Sequence, residues 1–177
     1  MNRYKQWGAL LLIMALGWSC SASQPNTRAR HTSPEKPDAI SPLQSSPSLP
    51  ESLPKKRRII VQHALNSIGT PYKWGGESPE TGFDCSGLVV FTHKKAGIIL
   101  PRTAKDQFKS GKTVLRQEIQ PADLFFFTPP DRSKSFHVGI YIGEGLFVHA
   151  PGRGRQVSVV DLNHPYFKKH YIGSRSQ

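Results

Sequence analysis

The chain has 177 residues, a net charge of +12 and only two cysteines, Cys20 and Cys85. That length suits one ordinary domain, and two cysteines exclude a disulfide-stapled scaffold. The basic residues are scattered apart from Lys55 to Arg58 and carry no nucleic-acid motif, so nucleic acid is excluded as a partner; a solvated basic face is the expectation, with attraction to a polyanionic polymer or an anionic membrane surface the alternative.

Arg3 and Lys5 precede an apolar run from Trp7 to Leu16. The run is too short to span a bilayer comfortably, and its charge pattern predicts an export signal over residues 1–20. Gly17, Trp18 and Ser19 before Cys20 resemble a lipobox, which predicts a signal peptide, lipidation of Cys20 and a membrane-anchored lipoprotein in the cell envelope. Ser21, in place of an Asp, points to the outer membrane. Cleavage near residues 21–23, releasing a soluble protein, is the alternative. If Cys20 carries lipid, Cys85 is a lone thiol in a compartment where disulfides form.

Residues 21–54 are rich in Pro and Ser, with few aliphatic and no aromatic side chains. Such a segment cannot bury enough apolar surface to offset the entropy of ordering, so an extended tether is predicted. Fully extended, it reaches on the order of 100 Å. The globular part, residues 55–177, holds 19 Lys and Arg against 9 Asp and Glu. Ile60, Ala64, Leu65 and Ile68 recur at helical spacing, predicting a helix over 57–68 stopped by Gly69. A second helix is predicted over 85–96, with Asp84 at its start and Gly97 at its end. A third runs over 103–109. Strands follow at 123–128, 137–142, 146–150, 156–162 and 171–174, with Gly143-Glu144-Gly145 as a hairpin signal. Helices first and a strand meander afterwards predict an α+β domain with an antiparallel sheet.

Cys85 falls in the first turn of the second helix. Unpaired N–H groups and the helix dipole there are expected to lower the thiol pKa and to offer donors to an oxyanion. Ser86 and Gly87 are small enough for a substrate to approach. The alternative is a buried cysteine packing beside Leu88. On a strand, His137, Gly139 and Tyr141 share a face. With a three-residue loop over 143–145, Ile142 pairs Leu146, Tyr141 faces Phe147, and His137 and His149 become diagonal neighbours, whereas an even-length loop would put them on opposite faces. Gly139 would leave room beside them for the helix N-terminus. One imidazole can then take the thiol proton while the other orients it. A zinc site from one Cys and two His lacks a fourth ligand, so neither metal nor cofactor is expected. His31, His63, His93, His164 and His170 read as surface or packing residues.

At these residues the chain resembles the NlpC/P60 family of cell-wall cysteine peptidases. The matching runs are 69–76 (Gly-Thr-Pro-Tyr-Lys-Trp-Gly-Gly), 83–89 (Phe-Asp-Cys-Ser-Gly-Leu-Val), 100–103 (Leu-Pro-Arg-Thr) with Gln107, 121–126, 137–143 and 147–150. The layout resembles the single-domain Spr/MepS-type murein endopeptidases. The resemblance implies a papain-like core with helices packed on an antiparallel sheet, Cys85 as nucleophile, His137 as base and His149 as the residue orienting it. It also implies Tyr72 in the oxyanion region, Asp84 and Ser86 on the substrate amine or backbone, and Arg102 beside the site. Ala122 stands where the family has Gly, which asks for an ordinary backbone there. The implied function is a monomeric, exported thiol protease hydrolysing peptidoglycan amides that involve D-residues or diaminopimelate. A catalytically silent wall-binding lipoprotein, or an amidase or acyltransferase on the same fold, is the alternative. The loop 128–136 borders His137 and is expected to influence substrate choice.

Overall fold

A computed structural model describes residues 51–129 and 135–177. The expected signal peptide, Cys20, residues 21–50 of the expected tether and the middle of the 128–136 loop lie outside the described residues. The tether's last four residues form a turn in which Leu53 is buried.

Helix α1 (Lys55–Asn66) begins at Pro54, whose carbonyl accepts the Arg58 N–H. It buries Ile60, Val61 and Ala64, the 3–4 spacing that turns one stripe inward. It starts and ends two residues earlier than its pattern suggests, so Ile68 lies outside it and is exposed. Helix α2 (Cys85–Lys95) buries six positions around its circumference, as an inner helix must. Helix α3 (Ala104–Ser110) is capped by the Thr103 hydroxyl, which accepts the Asp106 N–H.

A two-stranded ribbon, β1 (Glu77–Ser78) and β2 (Gly82–Phe83), lies between α1 and α2 in the chain. The main sheet holds β3 (Lys112–Val114), β4 (Leu124–Phe127), β5 (His137–Gly143), β6 (Leu146–His149), β7 (Ser158–Asp161) and β8 (Tyr171–Ser176). Its order is β3-β8-β4-β5-β6-β7, and every pairing is antiparallel. The α+β expectation is met.

Strand β4 shows why the sheet is central. Leu124 and Phe126 join the core that contains Ile60, Leu88, Val89, Val138, Ile140 and Val148. Phe125 and Phe127 join a second cluster on the opposite face, with Phe147, Tyr141 and Phe167. Both faces are therefore covered, which explains an apolar run without alternation. The second cover includes helix α4 (Pro165–His170), which sequence patterning missed because six residues are too few to show a period. Its start signals are nonetheless in place, with Pro165 at N1 and the His164 ring accepting the Tyr166 N–H.

Two expectations fail locally. A bulge between Tyr141 and Gly143 pairs Leu146 with Gly143 instead of Ile142, while Tyr141 still opposes Phe147. Ala122 has φ of +77°, a left-handed conformation and not an ordinary one. It is held there by its own N–H bond to the Tyr141 carbonyl and by the turn in which Asp123 N–H donates to the Gln120 carbonyl.

Candidate active site

Cys85 opens α2, and Asp84 immediately before it is the helix N-cap. The Asp84 carboxylate is a hub. Its Oδ1 accepts the Gly87 N–H at 2.7 Å, the Ser86 hydroxyl at 3.2 Å and Arg102 Nη1 at 3.0 Å. Its Oδ2 accepts the Gly75 N–H at 3.0 Å and Arg102 Nη2 at 2.6 Å. Arg102 also pairs with Glu77 and donates to the Ser86 hydroxyl at 2.9 Å. From α3, Gln107 Nε2 donates to the carbonyls of Ser86 and Pro101. Asp84, Ser86 and Arg102 thus bond one another and the loop 69–76, and they fix the first turn of α2.

That loop presses on the helix. A Cβ at Gly87 would collide with the Gly76 carbonyl, so Gly87 makes room for backbone and not, as its size suggested, for substrate. Tyr72 in the same loop packs, like Cys85, against the core. Its N–H donates to the Arg155 carbonyl, and its backbone bridges to Phe83.

The imidazoles come from β5 and β6. His137 and His149 share a face, because the bulge between Tyr141 and Gly143 offsets the two-residue turn, and His137 Nε2 lies 2.8 Å from His149 Nδ1. Phe127, Phe147 and Phe167 surround the pair. The space at Gly139 is taken by the Phe147 ring and does not receive the helix. Helix α2 packs on the other face, its Leu88 and Val89 in one core with Val138 and Ile140. The Cys85 thiol lies near the Val138 N–H, the residue after His137, so the start of α2 and the start of β5 are neighbours.

The electrostatics correct the expected low thiol pKa. Burial pushes the Cys85 thiol up to about 11, and the Asp84 carboxylate adds to the rise. The N–H groups of Val138, Ser86 and Cys85 pull it down but do not win. Burial pushes His137 down to about 4, with Arg155 contributing. His149 is pushed well down by burial, by His137 and by Arg155. At neutral pH the resting pair is a neutral thiol and a neutral imidazole. The arrangement suits a base. With Nε2–H of His137 donating to His149 Nδ1, His137 Nδ1 keeps a lone pair for a proton.

Among the described residues, no group of three His, Cys, Asp or Glu is placed to hold a metal ion. His93 and His63 are packing residues, the first buried on α2 with Nδ1 at 2.9 Å from the Val89 carbonyl. Two charged residues near the site escaped the sequence reading. Glu77 gave no signal, but Arg155 did: it sits in Pro-Gly-Arg-Gly-Arg, directly after His149 and Ala150.

Residues 69–176 match the NlpC/P60 family model. The chain is 38% identical over 124 residues to the murein DD-endopeptidase MepH of Escherichia coli, covering 68% of this chain and 46% of that one. It is 41% identical over 117 residues to a gamma-DL-glutamyl hydrolase of Bacillus subtilis, covering 66% and 28%. Among solved structures, a Staphylococcus aureus protein of the NLP/P60 family, described as similar to lipoprotein, superposes with a TM-score of 0.63 at 38% identity, covering 74% and 44%. The chain spans less than half the length of each of these.

Proposed function

The chain belongs to the NlpC/P60 family, and from that membership we propose that it is a cysteine peptidase hydrolysing amide bonds in the peptide stems or cross-links of peptidoglycan. The observation that carries this reading is the His137–His149 hydrogen bond at the strand end where the Cys85 thiol lies against the Val138 N–H. A purely structural cysteine does not need a hydrogen-bonded imidazole pair at the neighbouring strand end.

In the reading we adopt, the Cys85 proton passes to His137 Nδ1 as the sulfur attacks the scissile carbonyl carbon. Because the resting thiol is neutral, this transfer accompanies attack. Cys85 N–H, in the helix first turn, donates to the oxyanion, with Tyr72 beside it. Collapse breaks the C–N bond, and His137 returns its proton to the leaving amine. Water, deprotonated by His137, then opens the thioester and restores the thiol. His149 accepts the Nε2–H throughout and holds the ring's tautomer.

The apolar run at 7–16 and the lipobox-like residues before Cys20 support export and lipid anchoring, with the domain facing peptidoglycan from a membrane, the outer one by the Ser21 criterion. Palmitate labelling of wild type and Cys20→Ala tests the anchor: label in both variants would remove Cys20 from the proposal.

The decisive experiment is digestion of purified sacculi, with products identified by mass spectrometry. The wild type should release peptide fragments and leave the first alanine on the glycan. Cys85→Ala should lose at least about 10⁴-fold in rate while keeping its thermal midpoint. Equal product from the variant would sink the mechanism, and bare glycan ends would make the protein an amidase.

A further inference from the structure

Two arginines held against the core or the site are neutralised by carboxylates. Arg57 on α1 binds Asp123 at 2.9 Å, and Arg102 is held by Asp84 and Glu77. Arg155 is different. It is exposed on the connection between β6 and β7, and among the described residues its side chain makes one hydrogen bond, from Nη2 to the Pro151 carbonyl at 3.1 Å. Among the described residues no carboxylate pairs with it.

Its position is set by the backbone. The Arg155 carbonyl accepts the Tyr72 N–H at 2.9 Å, Gln156 bridges Pro71, and Val157 exchanges hydrogen bonds with Gly69 and Thr70. Three residues on, Ser158 lies directly opposite His149. The residue is thereby tied on one side to the loop carrying Tyr72 and on the other to the strand register of His149. Its charge reaches the reacting groups, since it depresses both imidazole pKa values. Exposed Arg153 has no such tie to the Tyr72 loop.

We propose that Arg155 is a specificity-determining residue that pairs with a free carboxylate flanking the scissile amide of the substrate. The inference rests on the peptidase reading above. A planar guanidinium with most of its donors unused is suited to a carboxylate, which it can grip with two parallel N–H donors. Murein-type amides offer that group from two sources. A γ-linked glutamyl residue on the acyl side keeps its α-carboxylate, and a diamino acid on the amine side keeps a carboxylate of its own. Amidation of either removes the charge and leaves the peptide otherwise alike.

The test uses the full chain and two pairs of synthetic peptides. One pair is γ-D-glutamyl against γ-D-isoglutaminyl. The other is D-alanyl-diaminopimelate with its flanking carboxylate free against amidated. The readout is the ratio of kcat/KM within a pair, which does not depend on the active fraction of a preparation. The wild type should prefer the free acid by roughly tenfold in one pair, the scale of one charge-assisted hydrogen bond, and that pair identifies the source. Arg155→Gln should bring the ratio to about one, mainly through KM, and Arg155→Lys should restore part of it. A preference that survives in Arg155→Gln, or a wild type that cleaves acid and amide alike, overturns the inference alone. No cleavage of any of the four peptides overturns the peptidase reading and this inference together.

Discussion

At Asp84 one carboxylate does two opposed things. It caps α2 and ties Gly75, Ser86 and Arg102 to the helix start, yet its charge raises the pKa of the thiol next door. The two roles separate by substitution. Asp84→Ala should cost about 2–4 kcal/mol, because the cap is lost and Arg102 keeps only Glu77 as a carboxylate partner; urea unfolding measures it. Asp84→Asn keeps an acceptor oxygen and removes the charge, so the thiol pKa should fall. The pH dependence of iodoacetamide alkylation reports that fall, and an unchanged profile would show that burial alone sets the value. At His149, Ala should reduce kcat by about 10²–10⁴-fold, with Asn in between because its carbonyl can accept the His137 proton. Equal kcat in Ala and wild type would leave His149 a packing residue.

At the scale of elements, two glycines hold the site together by what they leave out. Gly87 lets the 76 carbonyl touch the first turn of α2, and Gly139 lets the Phe147 ring lie flat on β5. Gly139→Ala should destabilise by about 1–3 kcal/mol through overpacking of a buried ring. Gly87→Ala meets backbone, which cannot rotate away, so the loop bearing Tyr72 must shift. The prediction there is a larger loss in kcat/KM than the change in unfolding free energy explains. A variant with full activity would show that the loop position is immaterial to the chemistry.

Over the whole molecule, three histidines are held neutral by burial: His93, down to about 4, with His137 and His149 at the site. Their folded pKa values lie below the ordinary 6.5, so the unfolded chain binds protons first as pH falls. The contribution of His93 and His137 to stability is complete above about pH 6.5 and is lost between there and about pH 4, and that of His149 is lost in the same direction as pH falls. The Asp84 carboxylate, with its pKa lowered, adds a second loss that begins only near its ordinary value of 3.8. The midpoint of urea unfolding should therefore drop between pH 7 and pH 5, and His93→Gln should flatten that drop. A midpoint constant over this range would contradict the buried, neutral state of these rings.

The α+β class, the three longer helices and the five strands from 124 to 176 were legible in the chain, because periodicity and capping are local. The shared face of His137 and His149 was legible only on the premise of a three-residue loop; the turn has two residues, and the bulge between Tyr141 and Gly143 restores the parity. The short elements α4, β1, β2 and β3 were not legible, as two to six residues carry no readable period. Nor were the face of the sheet that receives α2, the left-handed backbone at Ala122, or the raised thiol pKa. Those depend on what covers a group from outside its own segment. A helix N-terminus lowers a thiol pKa only while solvent or donors outweigh burial and neighbouring charge, and that balance exists only once distant parts of the chain have packed around Cys85.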